Sequence, residues 1–325
     1  MRMKKIIITG ALGHIGSHLI RTLPSAFPDS KLVLIDNFLC QRYCSLFNLP
    51  PHRDCQFIEG DILTADLDTI FSGAQVIIHL AAITDAANSF SNEEVVNKTN
   101  IEGTKRIAQA CMKNSVPLIF LSTTSVYGTQ NEVVDEFCTE EELAPQSPYA
   151  ESKLKSEKYL QQLKTEKDFP FVICRFGTIY GTSPGMRFHT AVNKFCWQAV
   201  TGQPITVWKT ALHQKRPYLY LDDGSNAIIH IIRKNLFSGD VYNVLTSNST
   251  PQDIIDAIEE RIPTLKIQLT DSRIMNQLSY NVSSERFIRT GFAYHGLLKQ
   301  GIHETLDLLA GISNWKEVGE PKNSP

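Results

Sequence analysis

Tyr149 and Lys153, four positions apart in Tyr149-Ala150-Glu151-Ser152-Lys153, place a phenol one helical turn from an ammonium. Such a pair can serve as a base and the cation that lowers its pKa. Alone it means little, because the spacing recurs by chance on exposed helices. Two other segments give it weight. Thr9-Gly10-Ala11-Leu12-Gly13-His14-Ile15-Gly16 is a glycine-rich turn, and Ser122-Thr123-Thr124-Ser125-Val126-Tyr127-Gly128 ends a strand in hydroxyls. Together they supply a dinucleotide cradle, a base and a proton relay, the outline of a hydride-transfer enzyme.

The elements that must position these groups emerge from hydrophobic patterning. Candidate strands are Lys5–Thr9, Lys31–Asp36, Gln56–Glu59, Gln75–Leu80, Pro117–Ser122 and Phe171–Phe176. Helical patterns cover His14–Leu23, Asn92–Lys113 and Tyr149–Lys167. Strand-helix alternation implies parallel pairing with right-handed crossovers, hence an α/β fold with a doubly wound parallel (Rossmann) sheet. After Gly177 the rhythm changes. Helical patterns at Phe188–Val200, Asp222–Lys234, Pro251–Arg261 and Gly301–Leu309, with a strand at Pro204–Trp208, predict a smaller interleaved substrate-binding lobe. The expected division is residues 1–176, rejoined by parts of 216–245, for the nucleotide, with 177–215 and 246–325 for the substrate. The tail Glu317–Pro325 is expected to fray.

The glycines permit a tight turn and a close approach of backbone N–H groups to a pyrophosphate at a helix N-terminus. The second strand ends in Asp36, 20 residues beyond Gly16, where a carboxylate accepts the adenine ribose hydroxyls and repels a 2′-phosphate. NAD is therefore expected rather than NADP, with Arg42 as the one nearby residue against it. A hydroxyl to hold the substrate oxygen is available at Ser122–Ser125.

Bulk properties exclude other classes. The 325 residues are 42% hydrophobic and 20% charged with a formal charge of −2, so no basic field awaits nucleic acid or an acidic membrane. No apolar run approaches the roughly 20 residues of a membrane helix. Met1-Arg2-Met3-Lys4-Lys5 before Ile6-Ile7-Ile8 mimics a signal peptide, but the run is short and ends in Thr9-Gly10, as a first strand does. The expected compartment is the cytoplasm. Seven scattered cysteines without a C-x-x-C pair read as reduced thiols. Cys40, Cys44, His52 and Cys55 fit no zinc spacing, and His14 with His18 lacks the Glu of H-E-x-x-H, so no metal is expected.

In these motifs and their order the chain resembles the extended short-chain dehydrogenases/reductases, in the NAD-dependent nucleotide-sugar epimerase/dehydratase family. The resemblance runs through the glycine turn, Asp36-Asn37, Gly60-Asp61-Ile62, His79-Leu80-Ala81-Ala82, Asn100-Ile-Glu-Gly103-Thr104 and the hydroxyl strand end. It continues through Tyr149 to Lys153, Arg175-Phe-Gly-Thr-Ile-Tyr180-Gly181 and Arg216-Pro-Tyr-Leu-Tyr-Leu-Asp222-Asp223. It implies an NAD site at Gly10, Gly13, His14, Ile15, Gly16, Asp36 and Asn37, with Asp61 and Ile62 flanking the adenine. Leu80, Ala81 and Ala82 would line the pyrophosphate channel and Asn100 would support it. Thr123 becomes the catalytic hydroxyl, Tyr149 the base and Lys153 the ribose-binding partner. Arg216 would grip the diphosphate of a nucleotide-sugar, with Thr84, Thr124, Thr178 and Asn193 as further substrate contacts. A homodimer is implied, built through the helices at Asn92–Lys113 and Tyr149–Lys167.

The same resemblance narrows the reaction. The family's 4,6-dehydratases carry Asp-Glu after the catalytic hydroxyl, decarboxylating members keep the Glu, and a 3,5-epimerase/reductase branch has a Cys there. This chain has Thr124 and Ser125. Hydride removal and return remain, which fits a nucleotide-sugar 4-epimerase, with a 4-dehydrogenase or 4-keto-sugar reductase as the alternative and a non-catalytic NAD-binding protein as the other class. Thr178 replaces a usual asparagine, and Thr84-Asp85 stand where UDP-galactose-type epimerases have a lysine, so the sugar or nucleotide is expected to differ from theirs.

Overall fold

The computed structural model describes residues 4–51, 54–128, 133–271 and 280–312. Met1–Met3, His52 and the tail Glu317–Pro325 lie outside them. Seven parallel strands form the central sheet, in the order Ser238–Val244, Phe171–Phe176, Leu118–Thr123, Ala74–His79, Lys4–Thr9, Ser30–Asp36 and Cys55–Glu59. The six strands expected from patterning are all present. Ser238–Val244 is an addition to them, because Ser-Gly-Asp interrupts its apolar pattern and only Val241–Val244 is buried.

The strands' near-continuous apolar runs reflect burial on both faces. Ile6, Ile8, Leu32 and Leu34 pack on the helices His14–Ala26 and Leu221–Lys234, whereas Ile7, Val33, Ile35 and Ile77 face Gly103–Asn114 and Pro148–Lys167. Strand order reverses on either side of Lys4–Thr9, which pairs with Ser30–Asp36 and with Ala74–His79. At such a switch point the loops leaving the carboxyl ends diverge and open a crevice. That crevice is where the glycine turn sits.

The helix expected at Asn92–Lys113 is instead three segments. Glu93–Asn97 is α, Lys98–Glu102 is a π-turn, and Gly103–Asn114 resumes as α. The extra residue of a π-turn re-aims a side chain, and here Asn100 is turned into the protein with 1% of its surface exposed. The helix expected from Phe188 starts at Ala191, after a loop held to other elements. A third apolar cluster, including Tyr180, Val192, Ile205, Ile254 and Ile302, organises the later elements around short sheets of Thr178–Tyr180, Arg216–Tyr220 and Ser247–Ser249, and of Ile205–Trp208 with Ile267–Thr270. Among the described residues no helix is long and apolar enough to cross a membrane.

Candidate active site

A cavity of about 400 Å³ opens at the switch point. Its wall holds Gly10, Gly13, His14, Ile15 and Gly16 of the turn, Asp36 and Asn37 at the end of the second strand, Asp61 and Ile62, and Leu80, Ala81, Ala82 and Thr84 after the fourth strand. All the residues expected to hold the nucleotide except Asn100, Tyr149 and Lys153 are therefore on one surface. Gly10 takes φ +65°, and a Cβ there would lie 2.6 Å from the Ala81 backbone nitrogen, so only glycine lets the two loops meet. Asp36 accepts from the backbone N–H groups of Leu12 and Phe38, both at 3.0 Å, which fixes its carboxylate at the strand end. Asp61 is oriented by the Asn37 amide at 3.0 Å and the Leu63 N–H at 2.8 Å.

Behind this wall runs a buried relay whose proton positions are set by chemistry. Thr104 donates to the Asn100 carbonyl at 2.6 Å, so it accepts from His79 Nε2–H at 3.2 Å. His79 Nδ1 then accepts from Thr9 Oγ1 at 2.8 Å, and Thr9 in turn accepts from the Ala81 N–H at 3.3 Å. Burial, with the Lys153 charge nearby, holds the His79 imidazole down at about 3, so this neutral tautomer persists at physiological pH. Asn100 closes the arrangement. Its Oδ1 accepts from Ile83 N–H at 2.8 Å, and its Nδ2 donates to the Ile83 carbonyl at 3.0 Å and to Ser152 Oγ at 2.9 Å. Asn100 thus ties the cavity loop to the helix Pro148–Lys167. Asn100 itself does not line the cavity.

That helix carries Tyr149 and Lys153. Ser147 caps it by accepting the Ala150 N–H at 3.2 Å, and Pro148 presets its first turn. Tyr149 is half-buried, and burial raises its phenol above the ordinary value; the Arg187 guanidinium and a hydrogen bond with Thr123 act in the opposite direction. Thr123 itself accepts the Ser125 N–H at 3.1 Å. Lys153 makes its contacts inside the protein. Its ammonium donates to the Leu121 carbonyl at 2.8 Å and lies 4.8 Å from the centre of the Phe120 ring. Burial lowers it to about 8 while Glu157 pulls the other way. The cation acting on Tyr149 here is Arg187, whereas the lysine holds the strand end.

The expected substrate residues are more dispersed. Thr124 is buried, its hydroxyl 3.4 Å from the Phe176 carbonyl, and its own carbonyl accepts from Tyr280 at 3.4 Å. The Arg216 guanidinium lies 5.5 Å from the centre of that same Tyr280 ring and donates to Gln214 Oε1 at 3.2 Å. Arg216 therefore stands one aromatic ring away from the hydroxyl strand end. Thr178 is half-buried beside Tyr218 on the adjoining strand. Asn193 is fully buried, and its Nδ2 holds the Arg187 carbonyl at 2.9 Å. Thr84 meets Arg187 through its hydroxyl.

Sequence reasoning did not name Arg187, Glu157 or His79 as site residues. Arg187 lies in a loop without periodicity, and nothing local marks it. His79 stood inside a quoted motif, and its relay requires Thr9 and Thr104 from other elements. Glu157 is one turn beyond Lys153, a spacing that could have suggested it. Among the described residues no His, Cys, Asp or Glu side chains converge as a metal cluster.

Comparison with known proteins agrees with this fold. Residues 6–244 match the NAD dependent epimerase/dehydratase family. The chain is 34% identical over 251 residues, 74% of its length and 76% of the relative's, to the uncharacterized UDP-glucose epimerase YtcB of Bacillus subtilis (strain 168). Over 327 residues it is 30% identical to an Arabidopsis thaliana trifunctional UDP-glucose 4,6-dehydratase/UDP-4-keto-6-deoxy-D-glucose 3,5-epimerase/UDP-4-keto-L-rhamnose-reductase. That match covers 96% of this chain and 48% of the relative, so the chain spans about half the length of the plant enzyme. The crystal structure of UDP-glucuronic acid 4-epimerase from Bacillus cereus in complex with UDP-glucuronic acid and NAD superposes with a TM-score of 0.85 at 26% identity, covering 94% of this chain and 99% of that one. The chain belongs to the NAD dependent epimerase/dehydratase family, whose members are enzymes.

Proposed function

We propose that this chain is a nucleotide-sugar 4-epimerase that works with bound NAD. The residues present fit the dinucleotide: the φ +65° cradle at Gly10 that a side chain would fill, and the fixed carboxylate of Asp36 at the second strand end. Relatives crystallised with NAD and UDP-sugars support the same reading. When bound, NAD supplies a hydride acceptor at the sugar's C4 and a donor for its return. Tyr149 takes the proton of the 4-hydroxyl on its phenolate oxygen and gives it back from there. Thr123 holds the same oxygen as it becomes a carbonyl. Lys153 binds the nicotinamide ribose, and Arg216 with Asn193 orients the diphosphate and the lobe around it. In this proposal residues 1–176, with parts of 216–245, hold the nucleotide and the rest holds the sugar. The chain works in the cytoplasm as a homodimer paired through the helices around 92–113 and 149–167.

The observation that carries the choice of reaction is the pair of residues after Thr123. The Thr124 hydroxyl is turned to the Phe176 carbonyl, and Ser125 offers no carboxyl or thiol. The carboxylates of the cavity wall, Asp36, Asp61 and Asp85, are each held by backbone or amide N–H groups. Among the described residues neither position after Thr123 supplies the acid or base for elimination or for proton abstraction at C5, which supports hydride transfer out and back as the reaction. Purified protein is expected to interconvert C4 epimers of a UDP-sugar without added cofactor. NADH accumulating in step with substrate would instead assign a dehydrogenase.

A second expected outcome tests the cradle. Gly10→Ala places a methyl against the Ala81 backbone at a φ that costs an L-residue about 1–2 kcal/mol. NAD affinity, measured by calorimetry, should fall at least about tenfold. Unchanged affinity would contradict a dinucleotide at this turn.

A further inference from the structure

The loop between the strand Thr178–Tyr180 and the helix Ala191–Val200 does not run free over the surface. It is fastened at four points to His14 and Ser17, at the start of the helix that follows the glycine-rich turn. The Gly181 carbonyl accepts from His14 Nε2–H at 3.0 Å, and Ser183 donates its hydroxyl to the His14 carbonyl at 3.0 Å. The Ser183 and Ser17 hydroxyls are 3.1 Å apart, and the Gly185 N–H donates to Ser17 Oγ at 3.0 Å. Contact at Gly185 is so close that a Cβ there would lie 2.4 Å from the Leu12 carbonyl oxygen. The result is a strap laid across the start of the helix His14–Ala26, the end that favours anions.

Two residues further on, the strap delivers Arg187 into the cavity wall. Its guanidinium is hydrogen-bonded to the Thr84 hydroxyl, but its Nε is buried with no acceptor. No carboxylate among the described residues forms an ion pair with it. Arg42 approaches the same turn from the other side, its Nη1 3.9 Å from where a Cβ on Gly13 would stand. The two like charges oppose one another, and neither has an ion-pair partner among the described residues. Between them His14 is held neutral, since burial and Arg187 push its imidazole down to about 3. Two guanidinium groups and a helix N-terminus around one half-enclosed space make an oxyanion site; the carboxylate that bears on Arg187, Asp85, accepts from the Ala87 and Asn88 N–H groups and forms no ion pair with it among the described residues.

We propose that the strap Gly181–His189 holds Arg187 against the diphosphate of the bound dinucleotide, opposite Arg42, and thereby keeps the cofactor in place through turnover. The proposal rests on the NAD reading above and deepens it. A cofactor that must receive and return the same hydride gains nothing from exchange, and a strap fastened over its diphosphate slows its release.

The test measures binding of NAD, ADP-ribose and UDP by calorimetry, and NAD release by rapid gel filtration, on wild type and Arg187→Met. ADP-ribose carries the diphosphate without the nicotinamide. NAD and ADP-ribose are both expected to weaken about 10- to 100-fold in the variant, mostly through faster release, as loss of a charged hydrogen bond predicts. UDP binding to NAD-loaded protein should be unchanged. Gly185→Ala, which leaves Arg187 in place but forces the strap off the Leu12 carbonyl, should speed NAD release as well. If Arg187→Met weakens UDP and leaves NAD and ADP-ribose untouched, Arg187 serves the substrate and the proposal falls. Unchanged NAD release in Gly185→Ala would overturn the strap's part in it. A wild type that binds neither NAD nor ADP-ribose would instead remove the NAD reading itself.

Discussion

Replacing Tyr149 by Phe is expected to lower turnover by a factor on the order of 10² to 10⁴ while NAD still binds, the range for loss of a positioned general base. The rest of the site supports the separation of the two effects. The turn, Asp36 and the Asn100 bonds to Ile83 and Ser152 do not involve the phenol oxygen. Binding of the nucleotide should therefore survive, and KM for the sugar nucleotide should change little beside kcat. Burial raises the Tyr149 phenol, so its base form is scarce at neutral pH. A cation brought in by the cofactor would move it down, as would Lys153 if its ammonium swings from the Leu121 carbonyl. Ultraviolet difference titration should accordingly show a tyrosine ionising at lower pH in the NAD complex than in the free protein, and Tyr149→Phe should abolish that difference. Full activity in the variant would end the assignment of Tyr149 as base.

The second large effect is on stability. Glu157 and Arg175 form an ion pair at 2.7 Å with 1% and 4% of their side chains exposed. The Arg175 guanidinium binds the carboxylate through both Nε and Nη2, and Nη1 donates to Tyr127 at 2.9 Å. Ser122 donates to the other side of Glu157, and the Tyr127 hydroxyl donates to Asn243 Oδ1 at 2.8 Å. The pair therefore joins the strand end that precedes Thr123, the helix that carries Lys153 and the edge strand Ser238–Val244. Burial opposes the Arg175 charge, and Glu157 more than offsets it, so the guanidinium stays protonated. Arg175→Met leaves a carboxylate uncompensated in the interior and is expected to cost about 3–5 kcal/mol, seen as a lower urea midpoint. Replacing both residues by Met should recover a large part of that loss, because no buried charge is then left alone. Equal loss in the single and double variants would mean that the pair contributes through packing rather than charge.

Most of the central-sheet region is legible in the sequence because its signals are local. Strands buried on both faces read as apolar runs, a glycine turn sits within a few residues of the strand it continues, and Asp36 closes the next strand. The hydroxyl strand end and Tyr149 are legible because their order in the chain is fixed by the topology. What escapes depends on partners distant in sequence. The π-turn at Lys98–Glu102 breaks no apolar pattern, yet it is what aims Asn100 at Ile83 and Ser152. Ser238–Val244 is an edge strand begun by Ser-Gly-Asp, so it lacks the signature of its neighbours. Arg187 sits in a loop whose course is set by contacts with residues far earlier in the chain, His14 and Ser17. Lys153 shows the limit from the other side: its position is legible, while its hydrogen bond to Leu121 is not, since burial against Phe120 decides where the ammonium turns.

The most direct test of the central claim tracks the hydride. A UDP-sugar carrying deuterium at C4 is incubated with the purified protein, with no cofactor added, and the products are read by nuclear magnetic resonance. Epimerisation by hydride transfer out and back predicts the C4-inverted sugar with deuterium still at C4. Deuterium recovered at C6, in free NADH or lost to solvent would contradict it.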